Sequence, residues 1–190
     1  MASSSIIYGV YTPQASVSGS ERLRVQLRIW LPVLAFSMVF AAESTSYFGG
    51  EHTDVPLRRV AELFCGYGVD ANWPMIHHLI RKTGHFMGYG LFSLVCFRSF
   101  WIAFQSQASR LQRQLCAHGL AILATFLVAS ADEIHQSFVP NRYGQFSDVV
   151  LDTCGAAAMG LVLFLTMTAL DAYKSAQKTS IKPVIVEVTA

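Results

Sequence analysis

Apolar residues gather along the chain into four windows with polar or charged residues at their edges. The first covers residues 27–48, with an uninterrupted apolar stretch at 29–42 between Arg28 and Glu43. The second covers 83–104, the third 115–131 and the fourth 149–170, where Asp171 and Tyr173 close it. A helix needs about 20 mostly apolar residues to cross the roughly 30 Å hydrocarbon core of a bilayer. The pattern therefore predicts an all-α polytopic membrane protein, a four-transmembrane-helix bundle. Pro32 falls in the first turns of span one and is a candidate kink. A secretory signal is the alternative for this window, because Arg22, Arg24 and Arg28 precede it and Val39-Phe40-Ala41 offers a cleavage site; the leader before the apolar stretch is long for one.

The longest connection, residues 49–82, predicts a short interfacial helix between spans one and two. Asp54 is its expected cap and Pro56 falls near its first turn, while Leu57, Val60, Ala61 and Phe64 share one face, with Arg58, Arg59 and Glu62 elsewhere. It is expected to lie on the outer membrane surface, although a helix packed over the bundle leaves the same pattern. Residues 1–26 and 173–190 are expected to be mobile cytoplasmic ends around a membrane domain at 27–172.

Composition sharpens this. Of 190 residues, 53% are hydrophobic and only 14% charged, against about 25% charged in soluble domains. The formal charge of +2 (14 Lys and Arg, 12 Asp and Glu) includes no polybasic block, so no nucleic-acid partner is expected. Cys65, Cys96, Cys116 and Cys154 form no Cys-x-x-Cys pair and read as small apolar residues. Lys and Arg accumulate on the cytoplasmic side of bilayers. With four spans the termini share a side. Arg22, Arg24, Arg28, Arg98, Arg110, Arg113, Lys174, Lys178 and Lys182 fall on that side, against Arg58, Arg59, Arg81, Lys82 and Arg142 on the other. Both termini are therefore expected to be cytoplasmic.

Ionisable groups near spans are costly, about 2.5–3.5 kcal/mol for a charge at a helix centre, and here they gather at one level. Lys82, His85 and Tyr89 fall at i, i+3 and i+7 on one face at the outer end of span two. Asp132, Glu133, His135 and Gln136 end span three, and Asp148 and Asp152 open span four. Lys82 and Arg142 are cations suited to a phosphate or carboxylate, with Arg142 offering a planar fork. His85 is suited to shuttle protons near neutral pH, and Glu133 to orient it or to act as the base. Asp148 is the natural partner of Arg142 or Lys82, and the two arginine-side groups read equally as a structural ion pair. Asp132 and Asp152 read as solvated or helix-capping, and His77 and His78 as interfacial residues of the outer connection. Structure alone also explains polar helix ends, and Gly84-x-x-x-Gly88 and Ala156-x-x-x-Gly160 read as close helix packing.

The segments Ile80-Arg-Lys-Thr-Gly-His-Phe-Met-Gly-Tyr89, Asp132-Glu-Ile-His-Gln136 and Phe138-Val-Pro-Asn-Arg142, followed by Asp148 and Gly155, together resemble the VanZ-like family of bacterial membrane proteins. The likeness spans roughly residues 27–170, and its specificity lies in the ordered combination rather than in any one motif. It implies a multi-pass protein of the cell envelope, in a family whose founding member is linked to low-level resistance to the glycopeptide teicoplanin. Carried over by position, its polar motif residues are Lys82, His85, Tyr89, Glu133, Gln136, Arg142 and Asp148, with Gly155 as a packing position. The chain departs at Asp152, where the family often has Asn, and at Gly160, one position later than the family's second Gly.

These readings lead to a bacterial inner-membrane protein with an outward-facing polar pocket. Its expected partners are the lipid bilayer and a lipid-linked cell-wall precursor, anionic lipid or glycopeptide, held by Lys82, Tyr89, Gln136, Arg142 and Asp148. The alternative is an intramembrane hydrolase or transferase with His85 and Glu133 as catalytic acid and base. No cofactor or metal is implied. Glu133 and His135 diverge by about 160° on a regular helix, whereas Asp132 and His135 are about 60° apart; a metal held by His85, Glu133 and a ligand from span four is a further alternative. Serine nucleophiles lack a Gly-x-Ser-x-Gly turn. A transporter fits poorly, since the charges line one leaflet and no broken-helix pair is visible.

Overall fold

The computed structural model describes residues 18–48, 50–105, 109–140 and 142–180. In chain order they form α1 (Gly19–Glu43), a 3-10 turn (Ser46–Phe48), α2 (Gly50–Cys65), a second 3-10 segment (Tyr67–Asn72), α3 (Trp73–Ala103), α4 (Arg110–Gln136) and α5 (Phe146–Ser180). Among the described residues there is no strand, and four helical segments are long and apolar enough to cross a membrane: Gly19–Glu43, Tyr67–Ala103, Arg110–Gln136 and Phe146–Lys178. The fold is the expected all-α polytopic bundle.

Every spanning helix starts before its apolar window, although α1 stops at Glu43, short of the expected end at 48, because the chain turns into a 3-10 segment there. Apolarity marks where hydrocarbon ends; a helix ends where its backbone groups find other partners. Thus α1 begins at Gly19 because the Ser18 hydroxyl accepts the Glu21 amide at 3.2 Å, a side-chain cap. Ser109 does the same for Gln112 at the head of α4. α3 starts ten residues before the apolar window, with Pro74 in its first turn, where a missing N–H costs nothing. His77, His78, Arg81 and Lys82, expected in a connection, are therefore on a helix. At the other end α5 continues to Ser180, so the part of the expected mobile tail from 173 to 180 is helical, as is 19–26. Glu21, Arg22, Leu23, Arg24 and Gln26 in the N-terminal extension and Lys174, Ala176, Gln177 and Lys178 in the C-terminal one all favour helix. The remainder of both expected mobile ends lies outside the described residues.

α3 is the central element. It packs against α5 and α4 along its length and carries α1 on a further side. Its Tyr89, Phe92, Cys96 and Phe97 join Phe40 of α1, Ala117, Ala121 and Ala129 of α4 and Val149 of α5 in the core. Phe40 stacks on Tyr89 with ring centroids 4.2 Å apart. α4 turns a stripe of small residues inward, Ala117, Ala121, Thr125 and Ala129, and the same four-residue step continues to Glu133. On α5 the inward face is Val149, Asp152, Ala156 and Gly160.

The closest approach is between α3 and α5. A Cβ placed on Gly155 would fall on the Phe86 carbonyl, and one on Gly90 would lie 2.8 Å from Met159 Cγ and 3.1 Å from the Gly155 carbonyl. Gly155 is thus the packing position that the family resemblance implied. Gly84 has nothing within 4 Å of such a Cβ, and Gly88 meets only the Phe40 ring at 3.6 Å. The Gly84-x-x-x-Gly88 pair does not bring two backbones together; its open face borders a cavity instead.

Polar ties fix the antiparallel order. Far from the ionisable cluster, Ser99 donates to the Ile29 carbonyl at 2.7 Å, and Arg110 pairs with Asp171 at 2.8 Å. At the cluster end, Ser44 meets His135 Nδ1 at 2.7 Å, joining the end of α1 to the end of α4. The C-terminal ends of α1 and α4 and the N-terminal ends of α3 and α5 therefore share one level.

α2 begins at Gly50, so Asp54 is not its cap. Asp54 accepts the Trp73 indole N–H at 2.7 Å and faces His77 Nδ1 at 3.6 Å, tying α2 to the start of α3. The expected apolar face splits: Leu57 and Ala61 turn toward the bundle, while Val60 and Phe64, with Leu63, stay exposed.

Candidate functional site

The ionisable level of the bundle contains two cavities with one shared wall. A cleft of about 310 Å³ runs between α1, α2, α3 and α4. Phe36, Val39 and Phe40 of α1 and Leu57 of α2 make its apolar side; Arg81, His85, Tyr89, Asp132, Gln136 and Arg142 make its polar side. A vestibule of about 770 Å³ adjoins it, lined by Trp73, His77, His78, Lys82, Tyr143, Gln145 and Asp148 among others. Arg81, His85, Gln136 and Arg142 border both.

Of the residues singled out in the sequence, Lys82, His85, Gln136, Arg142 and Asp148 converge on the vestibule, and Tyr89 joins His85, Gln136 and Arg142 at the cleft. Lys82 pairs with Asp148, which settles the choice of partner for that carboxylate. Among the described residues Arg142 makes no ion pair. Its Nη1 donates to the Glu43 carbonyl at 2.7 Å and the Thr45 carbonyl at 2.9 Å, so the guanidinium closes the C-terminal end of α1, where carbonyls lack helical donors. Tyr89 is 1% exposed and donates to Asp132 Oδ2 at 3.0 Å; Gln136 Nε2 donates to the same oxygen at 3.0 Å.

Glu133 is the exception. It lines neither cavity and does not serve His85. It is 5% exposed, at the end of the buried stripe of α4, and its Oε2 accepts the Gln145 amide at 2.7 Å. A Cβ on Gly144 would strike the Glu133 carbonyl, so only glycine lets the loop lie this close. Glu133 thus fastens the loop that carries Arg142 into the site. The pairing of His85 with Glu133 expected from the sequence is replaced: the carboxylate beside His85 Nδ1 is Asp152, whose Oδ2 is 3.6 Å away.

Three functional residues were missed or set aside. Asp152, expected to be solvated or to cap a helix, is 0% exposed, and neither of its carboxylate oxygens has a hydrogen-bond partner. Its signal was its place four residues before Ala156 and eight before Gly160, on the small-residue face of α5. Asp132, expected to be solvated, is the common acceptor for Tyr89 and Gln136. Arg81 falls four residues before His85 and eight before Tyr89, on the same helical face. The acidic groups in ion pairs, Asp54, Glu62, Asp70, Asp148, Asp152 and Asp171, are all held by side chains other than Arg81. Arg81 is near enough to Arg142 for the two guanidiniums to repel. Arg81 and Arg142 thus share a wall, next to the Glu43 and Asp132 carboxylates that also line the cleft, and among the described residues neither guanidinium is in an ion pair. Among the described residues no group of three or more His, Cys, Asp or Glu side chains is placed to hold a metal ion, so the arrangement with His85, Glu133 and a third ligand is not the one adopted.

The Lys82–Asp148 pair is half-buried and joins the two helices that pack most closely. Lys82→Met alone is expected to cost roughly 1–3 kcal/mol of stability, because it leaves the Asp148 carboxylate short of its partner. Adding Asp148→Asn should recover much of that loss. A double-mutant cycle of unfolding free energies in detergent checks this, and strictly additive losses would show that the pair is not coupled.

Neither a curated protein nor a solved structure matches the chain. The VanZ/LLP1 family model does match, over residues 20–168, a stretch that takes in all of α2, α3 and α4 and nearly all of α1. It also contains the cluster of Lys82, His85, Glu133, Arg142 and Asp148 and the packing glycine Gly155. On that match, this multi-pass membrane protein belongs to the VanZ/LLP1 family.

Proposed function

We propose that the protein binds an anionic amphipathic lipid of the cell envelope, such as a lipid-linked cell-wall precursor, with the charged head between Arg81 and Arg142 and part of the chain against Phe36, Val39 and Phe40. The observation that carries this is the shared wall: two guanidiniums, neither in an ion pair among the described residues, stand where a cleft with one apolar side meets a polar vestibule. An ordinary salt bridge would bring its own acid, and an acyl slot alone needs no cations. Lys82, already neutralised by Asp148, adds a donor at the vestibule side rather than a free charge. The bias of Lys and Arg toward the side bearing the chain ends supports a cytoplasmic-membrane protein with both termini inside and the site in the outer leaflet. In that setting a glycopeptide that engages the same precursors is a second candidate ligand, consistent with a role like teicoplanin resistance.

Native mass spectrometry of protein released from lipid nanodiscs tests the reading. Nanodiscs would contain phosphatidylcholine with either a polyprenyl phosphate or phosphatidylglycerol, with and without added teicoplanin. Retention of the anionic lipids well beyond phosphatidylcholine is the expected result. Equal retention of phosphatidylcholine would remove the role of the two arginines, and teicoplanin retained without any anionic lipid would replace the lipid by the glycopeptide.

A further inference from the structure

The His85–Asp152 pair remains unexplained by binding alone. Three neighbouring carboxylates each hold something: Asp148 holds Lys82, Asp132 holds Tyr89 and Gln136, and Glu133 holds the Gln145 amide. Asp152 is 0% exposed on a spanning helix, both its oxygens lack a hydrogen-bond donor, and the nearest group is His85 Nδ1 at 3.6 Å. Burying a carboxylate so incompletely partnered is costly, and in membrane helices such groups mark functional sites. His85 Nδ1 is itself buried and without a hydrogen bond, yet His85 borders both cavities. Its Nδ1 is thus turned to Asp152, which leaves Nε2 as the nitrogen on the cavity side. A carboxylate behind Nδ1 favours the tautomer with the proton there and the lone pair on Nε2.

We infer that His85, positioned by Asp152, acts as a general base that hydrolyses the phosphoanhydride of a lipid diphosphate whose head lies between Arg81 and Arg142; this rests on the anionic-lipid reading above. A water oxygen forms a bond to the terminal phosphorus, and one water proton passes to His85 Nε2. The bond from that phosphorus to the bridging oxygen breaks, its electron pair stays on the bridging oxygen, and the lipid monophosphate leaves. Inorganic phosphate departs through the vestibule, and His85 returns its proton to water. The choice of an anhydride follows from the acids present. Tyr89 is committed to Asp132 and Lys82 to Asp148, and the other donors, His77, His78 and Tyr143, border the vestibule but not the cleft where the leaving lipid phosphate lies. A phosphate leaving group needs none, whereas the alkoxide of a simple phosphate ester does. Arg81 and Arg142 stabilise the charge that moves onto the phosphoryl oxygens. Asp152 lines neither cavity and acts through His85, so it is a positioning residue.

Farnesyl diphosphate supplied to the full chain in phosphatidylcholine nanodiscs is the probe, with released phosphate as the readout. The wild type should release phosphate. His85→Gln, purified identically, should be slower by about 100-fold or more, the usual scale for a lost general base. Asp152→Asn should lower kcat with KM unchanged. A wild type that retains polyprenyl phosphate but releases no phosphate would overturn the hydrolysis and leave the binding reading standing; one that does neither would end both. Release that persists in His85→Gln, or an Asp152→Asn variant with altered thermal stability and unaltered kcat, would also overturn the proposal.

Discussion

Gly155→Val is expected to be the most damaging single substitution in the bundle, lowering stability by about 3 kcal/mol or more. The Cβ of any other residue at this position would fall on the carbonyl of Phe86, a backbone atom inside α3 that cannot swing aside. The two helices would have to separate. That separation would reach Gly90, which packs on the carbonyl of Gly155, and would loosen Val149 and Asp152 on the same face of α5. In a chain of this length the loss corresponds to a fall in apparent Tm of about 10 °C, measured by thermal unfolding in detergent. Gly84→Ala is the control, since nothing lies within 4 Å of a Cβ there, and it should unfold as the wild type does. Should Gly84→Ala prove the worse of the two, the α3–α5 contact would not be where the bundle is held.

The contrast between these glycines shows how far the sequence could be read. Gly84 opens a small-residue pair four apart and Gly155 stands beside another, Ala156 and Gly160, so spacing alone does not rank Gly155 above Gly84. Which of them meets a neighbouring backbone depends on how each helix is rotated, and that is decided by the packing of all the helices together. The same limit applied to the polar cluster. Depth was legible, because the charges at the ends of apolar windows must sit near the bilayer boundary, and Lys82, His85, Gln136, Arg142 and Asp148 indeed share one level. Azimuth was less so. Glu133 has the chemistry of a base, but the buried stripe of Ala117, Ala121, Thr125 and Ala129 leads straight to it and turns it onto the loop at Gln145. Asp152 resembled a capping residue at a helix start, until the inward face of α5 placed it behind His85. Followed through to their ends, both stripes could have been read from spacing alone. The choice of Lys82 rather than Arg142 as the partner of Asp148 could not, because it depends on where the loop at 142–145 lies.

Arg81 and Arg142 should separate binding from structure. Arg142 donates to two carbonyls at the end of α1, and Glu133 and Gly144 hold its loop in place. Arg142→Gln is therefore expected to lower both retention of polyprenyl phosphate and thermal stability. Arg81 is in no ion pair among the described residues, and its repulsion by Arg142 outweighs its attraction to Asp148, so Arg81→Gln removes a net repulsion rather than a tie. Its thermal stability should equal or exceed that of the wild type. Its retention of polyprenyl phosphate should fall by roughly 10- to 100-fold, because a hydrogen bond to a charged group contributes about 1.5–3 kcal/mol and each 1.4 kcal/mol is about tenfold in affinity. Lys at position 81 should restore only part of the loss, since a point charge replaces the planar fork. Added salt should weaken wild-type retention more than that of Arg81→Gln, because the variant has one fewer charge for salt to screen. If Arg81→Gln instead held polyprenyl phosphate as tightly as the wild type, the cleft would be a hydrocarbon slot with Arg142 serving only α1, and the shared wall of the two cavities would have no anion to bind.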